Sequence, residues 1–143
     1  MTRSAQKGNL ANAALVIEED RCIASGESLV ASSFDATAHA ERLLVEMVCK
    51  KKASHYTPGL IMVTVVEPCL MCLSACAQAG YKEVAFIIPA HRYIQKIPYM
   101  SDVIGLDKNV VAKAFLEPIA LTHLKEFEEQ FCDVFEKQMM KGS

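Results

Sequence analysis

Apolar positions along the chain follow two rhythms. Residues 12–20 (NAALVIEED) and 21–30 (RCIASGESLV) read as two strands joined by a tight acidic turn, hence a hairpin. A turn-rich segment, SSFDAT (32–37), leads into AHAERLLVEMVCKKK (38–52). There Leu43, Leu44, Met47 and Val48 recur at helical spacing, and Lys50, Lys51 and Lys52 complement the helix C-terminus. After the TPG break at 57–59, LIMVTVV (60–66) is a continuous apolar run of strand length. Pro68 suits the first turn of a helix over CLMCLSACAQAG (69–80), which Gly80 stops. EVAFII (83–88) is a second buried strand, ended by Pro89, and 91–105 reads mainly as loop. Residues 114–121 hold a last short strand. The segment 122–141 is an amphipathic helix with Leu124, Phe127, Phe131, Val134 and Phe135 on one face.

Helices alternating with apolar strands imply an α/β architecture, a three-layer α-β-α sandwich around a mixed sheet of about five strands. The runs 60–66 and 83–88 belong in its middle, buried on both faces. At 143 residues, one domain over 1–143 accommodates the whole pattern.

Composition narrows the function classes. Hydrophobic residues make up 52%, yet no apolar stretch is long enough for a bilayer. The N-terminal MTRSAQKGNL lacks the apolar segment of a signal peptide, so the expectation is a cytoplasmic protein without a membrane partner. A formal net charge of −2 provides no bulk attraction to nucleic acid, leaving a local basic patch as the only route. There are six cysteines, and without an export signal a disulfide framework is disfavoured. Cys22, Cys49 and Cys132 each sit alone in an apolar segment and read as buried, unreactive thiols.

Two of the remaining cysteines, Cys69 and Cys72, form the pair in EPCLMC (67–72), which admits three readings: a redox couple, half of a structural zinc staple, or part of a working metal site. His39 separates them. It begins a helix in AHAE (38–41), with Glu41 two residues on. In a first turn, both side chains can reach past the helix end toward one point. Cys69 and Cys72 also open a helix, and two positive helix ends favour thiolate over thiol. One imidazole and two thiolates balance a zinc ion and leave its fourth position to water, whose pKa the cation lowers to about 7. Glu41 then has a proton to carry, a task that neither a redox pair nor a structural staple needs. A structural site would also need a fourth ligand. Cys76 is the candidate, although one turn deeper it reads better as a buried thiol. His55, His91 and His123 read as surface or loop residues.

DATAHAE (35–41) followed by VEPCLMC (66–72), with 26 residues between Glu41 and Pro68, resembles the zinc-dependent cytidine deaminase superfamily. The wording is similar to the branch holding guanine deaminases, fungal cytosine deaminases and tRNA adenosine deaminases. That resemblance implies a cytidine deaminase-like fold and one Zn2+ held by His39, Cys69 and Cys72, with Glu41 as the catalytic proton carrier. It also implies hydrolytic loss of an exocyclic amine from a purine or pyrimidine base or nucleoside. The backbone N–H groups of Ala40 and Glu41 would hold a substrate carbonyl, and the Glu67 carbonyl would receive the amine. Relatives in this branch commonly pair through the helices after the zinc motifs, so a homodimer is expected. A tRNA-specific adenosine deaminase is the alternative within the family, and a catalytically silent zinc-binding scaffold is the alternative outside enzymology.

Departures bear on the substrate. Members acting on bases usually carry an Asn in the loop before the His-bearing helix, whereas the asparagines here are Asn9, Asn12 and Asn109. Ser28, Ser32, Ser33 and Asp35 are the candidate substitutes, and Phe34 either stacks on a base or packs in the loop. His91 is a candidate pocket border. Tyr93, Tyr99 and Met100 either form a lid or pack in the core. The N-terminal helix that often precedes the first strand is confined to residues 1–9.

Overall fold

The computed structural model describes residues 1–97 and 100–140. A short helix, α1 (Thr2–Gln6), precedes the hairpin β1 (Ala13–Glu18) and β2 (Arg21–Glu27). The two turn residues, Glu19 and Asp20, both have positive φ (48° and 67°), the twist that a two-residue hairpin demands. Helix α2 (Ala40–Lys52) follows, then β3 (Ile61–Val66), α3 (Leu70–Ala79) and β4 (Glu83–Ile88). Gly80 ends α3 at φ 88°, and a side chain there would run into the Tyr56 ring. The chain closes with α4 (Lys108–Ala114), β5 (Ala120–His123) and α5 (Glu128–Met139).

The five strands form one mixed sheet in the order β2-β1-β3-β4-β5. β1 runs antiparallel to β2 and β3, while β3, β4 and β5 are parallel. The apolar runs thus occupy the interior positions expected of them. On one side of the sheet, Ala14, Val16, Met62 and Val84 pack against Leu44 and Val48 of α2 and Leu73 and Cys76 of α3. On the other, Val65 and Ile87 pack with Cys132 and Phe135 of α5 and with the α1 region. Each fully buried Leu, Ile or Phe in these layers contributes about 1.5–3 kcal/mol relative to exposure. The result is the α-β-α layering the sequence implied.

Several expectations are corrected. The segment 91–105 is followed by a helix, α4, that apolar periodicity did not announce; the Asp107 carboxylate caps it by accepting from the Asn109 N–H at 2.9 Å. The expected helix over 122–141 splits into the end of β5, a 3-10 turn at Lys125–Phe127, and α5. Lys141 lies outside the described residues. Of the expected apolar face, Leu124, Phe131 and Phe135 pack inward together with Cys132, while Phe127 and Val134 are exposed. Met47 is likewise exposed on α2. Cys132 is buried and Cys49 half-buried, but Cys22 is exposed, because the edge strand β2 turns it to solvent. Among the described residues, no helix is long and apolar enough to cross a membrane.

Candidate metal and catalytic centre

Two strand-to-helix connections converge on one point. His39 stands immediately before α2 and Cys69 immediately before α3, both with extended backbone, so both side chains project past a helix start. Cys72 follows in the first turn of α3. The ligand atoms of His39, Cys69 and Cys72 all lie within 4.8 Å of one another. Cys69 Sγ is 3.4 Å from His39 Nδ1. A tetrahedral zinc with bonds of about 2.0–2.3 Å separates neighbouring N and S donors by about 3.5 Å, so this spacing fits. The Ala36 backbone carbonyl also contacts the His39 ring, which helps fix its orientation.

The thiols are electrostatically unequal. A hydrogen bond from Cys72 holds the Cys69 thiol down at about 4, against burial and with help from His39. The same bond, together with burial and the charge of Glu41, pushes Cys72 upward. Cys69 in turn raises His39. Cys76 is fully buried among Leu73, Ala79 and Tyr81, where burial raises its thiol, and it stays outside the three-donor group.

Glu41 is 2% exposed, an unusual place for a carboxyl group. Burial pushes its pKa up to about 7, against its own backbone N–H, which lowers it. Its Oε1 accepts from Asn12 Nδ2 at 2.9 Å. Asn12, His39, Glu41, Val66, Glu67 and Cys69 share the wall of a narrow cleft of about 40 Å³. The cleft adjoins a larger hollow of about 240 Å³, with Glu67, Ala90, Ile94 and Asp102 common to both.

A buried ion cluster braces the thiol-bearing helix. Lys108 Nζ lies 2.7 Å from Glu67 Oε2 and 2.5 Å from Asp102 Oδ2, and donates to the Pro68 carbonyl at 2.8 Å. Asp102 Oδ1 accepts from the Leu70 N–H at the start of α3. Burial alone lowers the Lys108 ammonium's pKa, but the Asp102 and Glu67 carboxylates outweigh it and raise it above the ordinary lysine range.

The other sequence candidates fall at varied distances from this centre. Ala40 is fully buried at the first position of α2, and Glu67 lines both the cleft and the hollow. His91 lines the hollow but not the cleft. Ser28 is buried with its backbone bonded to Ser4 and Asn12, and the cleft wall does not include it. Phe34 is 97% exposed on a left-handed backbone (φ 52°), so it does not pack in the loop, and the cleft wall does not include it. Asp35 accepts from the Thr37 N–H and hydroxyl, closing the turn before α2 rather than facing the cleft. Ser32 and Ser33 are likewise taken up in that loop, by Asn9 and by the Leu29 carbonyl. Of the lid candidates, Tyr93 is buried against Phe135, Met100 lines the cleft, and Tyr99 lies outside the described residues. Sequence reasoning missed Asn12, Asp102 and Lys108. Asn12 was noted only as lying outside the expected loop, and no local pattern marked the other two.

Residues 1–88 match the model of the cytidine and deoxycytidylate deaminase zinc-binding region. The chain belongs to this family. Zn2+ is accordingly its cofactor, in keeping with the His/Cys/Cys donor set. Among relatives, a tRNA-specific adenosine deaminase of Aquifex aeolicus (strain VF5) is 30% identical over 84 residues, 59% of this chain and 56% of the relative. A guanine deaminase of Bacillus subtilis (strain 168) is 36% identical over 73 residues, 51% of this chain and 47% of the relative. The chain spans about half the length of these curated relatives. The solved guanine deaminase from Nitrosomonas europaea superposes with a TM-score of 0.72 at 21% identity, over 89% of this chain and 71% of that one. At that identity the likeness is one of fold.

Proposed function

We propose that this family member is a zinc-dependent hydrolase releasing ammonia from a purine or pyrimidine base or nucleoside. His39, Cys69 and Cys72 would hold the cation, and Glu41 would carry the proton. The observation that carries this reading is the buried Glu41 carboxyl beside the three donors, with a pKa of about 7. A purely structural zinc has no use for a buried group poised to gain and lose a proton near neutrality. When bound, zinc supplies a Lewis acid that makes water nucleophilic at neutral pH. Glu41 takes the proton that water gives up, delivers it to a ring nitrogen, and then supports protonation of the departing amine. One water is consumed and one ammonia released, with the ring carbon left as a carbonyl.

A free base or nucleoside is favoured over a polynucleotide by the charge around the opening. Glu67, Asp102 and Asp107 line the cleft or its adjoining hollow, and Lys108 is already neutralised by two of them. Among the described residues that line these two hollows, no unpaired Lys or Arg is left for a phosphate. The tRNA-editing reading rests on the Aquifex aeolicus relative. A homodimer is the proposed assembly, supported by the outward Met47 of α2 and Met71 of α3, and a monomeric mass in light scattering refutes it.

The test is ammonia release by zinc-loaded protein across a panel of bases and nucleosides, run beside inosine formation in tRNA. Release from at least one small substrate, abolished in Glu41→Ala, is expected. Inosine in tRNA alone transfers the assignment to the editing reading. Silence in every assay, or activity indifferent to Glu41→Ala, overturns the deaminase reading.

A further inference from the structure

Asn12 lies one residue before β1 and is 5% exposed. Its side chain joins three elements. Oδ1 accepts from the Val66 N–H of β3 at 3.0 Å; the Thr64 hydroxyl lies 3.3 Å away, with the Val66 carbonyl as its nearer acceptor at 3.0 Å. Nδ2 donates to Glu41 Oε1 at 2.9 Å, on α2. The orientation of this amide is fixed by chemistry. A backbone N–H can only donate, so Oδ1 must face Val66 and Nδ2 must face Glu41. Asn12 itself is held in place, since its own carbonyl accepts from the Ser28 N–H at 3.1 Å.

We propose that Asn12 is the positioning residue of Glu41, holding Oε1 as a fixed acceptor so that proton traffic runs through Oε2. This rests on the deaminase reading of the site. A glutamate has three side-chain torsions to fix; the Glu41 backbone N–H and Cys72 reach its carboxyl from the two helix starts, and Asn12 adds the donor that is anchored in the sheet. A neutral donor anchored to the central sheet fixes the carboxylate without adding a charge beside the metal ligands. It also does so from a wall of the cleft, where the substrate arrives.

Asn12 could instead serve β3 alone, by satisfying the Val66 N–H. Asn12→Asp separates the two roles, because it keeps the bond accepted from the Val66 N–H and loses only the donor to Glu41. If Asn12 positions Glu41, Asn12→Asp lowers kcat by about 10²-fold, leaves KM within about threefold, and keeps one zinc per chain by elemental analysis. A role confined to β3 leaves kcat near wild type. The contact itself is tested independently of turnover by thermal unfolding of chelator-treated protein. Measured above pH 8, where Glu41 is ionised, Asn12→Asp places two carboxylates face to face and lowers Tm by about 5 °C or more. Asn12→Asp combined with Glu41→Gln restores a donor–acceptor pair in reverse and recovers most of that loss.

The proposal is overturned if Asn12→Asp keeps kcat within about threefold, or if the double variant melts as low as additivity demands. A wild type silent on every substrate defeats the deaminase reading. The unfolding cycle then still decides whether Asn12 holds Glu41.

Discussion

Replacing Lys108 by methionine keeps most of the side-chain stem and deletes the ammonium. The side chains concerned are 5% exposed for Lys108, 7% for Asp102 and 17% for Glu67. The variant therefore leaves two carboxylates facing each other in a poorly hydrated place, and the Pro68 carbonyl without its donor. Breaking a buried ion pair by removing one partner costs about 3–5 kcal/mol, against 0–1 for an exposed pair. Unfolding entropy of about 2.1 cal/mol/K per residue gives a chain of this length a Tm drop of about 10–17 °C. The effect extends to the site, because Asp102 also accepts from Leu70 next to Cys69. Zinc affinity should fall about 10–100-fold, the usual consequence of disturbing groups that orient ligands. Urea unfolding and competitive chelator titration measure the two effects. Since the Lys108 pKa is raised, its contribution is complete below the ordinary lysine value and is lost as pH rises through the folded value. The gap between wild type and variant should thus persist from neutrality to mild alkali and close only beyond. A Tm change under about 3 °C at pH 7 refutes the picture of a buried, bracing cation.

Glu41→Gln should lower kcat by about 10²–10⁴-fold while retaining the fold, because the glutamine carbonyl still accepts from Asn12. In chelator-treated protein the same variant reports the buried carboxyl. With a folded pKa near 7 against about 4.5 unfolded, the stability linked to its protonated form is complete below pH 4.5 and lost as pH rises through 7. Glu41→Gln should therefore unfold about 3 kcal/mol later than wild type at pH 8 and level with it near pH 4.5; coincident curves at both pH values refute the shift. Cys72→Ser should reduce zinc from one per chain to a small fraction after dialysis, by elemental analysis, and undiminished zinc removes Cys72 from the donor set. Phe34→Asn relieves a left-handed backbone without losing packing, since Phe34 is 97% exposed. It should raise Tm by about 2–3 °C and leave ammonia release unchanged, and a fall in activity restores Phe34 to the substrate site.

Local periodicity revealed the central strands and α2 and α3, because their apolar runs and stop signals sit within a few residues of one another. The same locality made His39, Glu41, Cys69 and Cys72 recognisable, since each pair shares one helix start. Asn12 was illegible for the opposite reason. Its place beside Val66 depends on the β1–β3 register, Ala14 against Thr64, and its nearness to Glu41 on how α2 packs over that sheet, neither of which one element encodes. Lys108 was equally illegible, since nothing near it in sequence announces Glu67 across the cleft. The apolar face over 122–141 was legible in Leu124, Phe131 and Phe135, which pack inward, but not in Phe127, which precedes the helix proper and is exposed, nor in Val134.

The residues at the N-cap positions of α2 and α3, His39 and Cys69, make no capping hydrogen bond with their side chains among the described residues. Positions that usually hold a serine or aspartate are given over to coordination. One of these helices follows the hairpin and the other follows β3, so a nascent chain with only one unit in place presents an incomplete donor set. The cation will then favour the fully assembled state, adding RT ln(1 + [Zn]/Kd) to its stability. Metal supply would act as a checkpoint on maturation: under zinc starvation, the first turns of both helices should be the earliest segments to exchange their amide hydrogens.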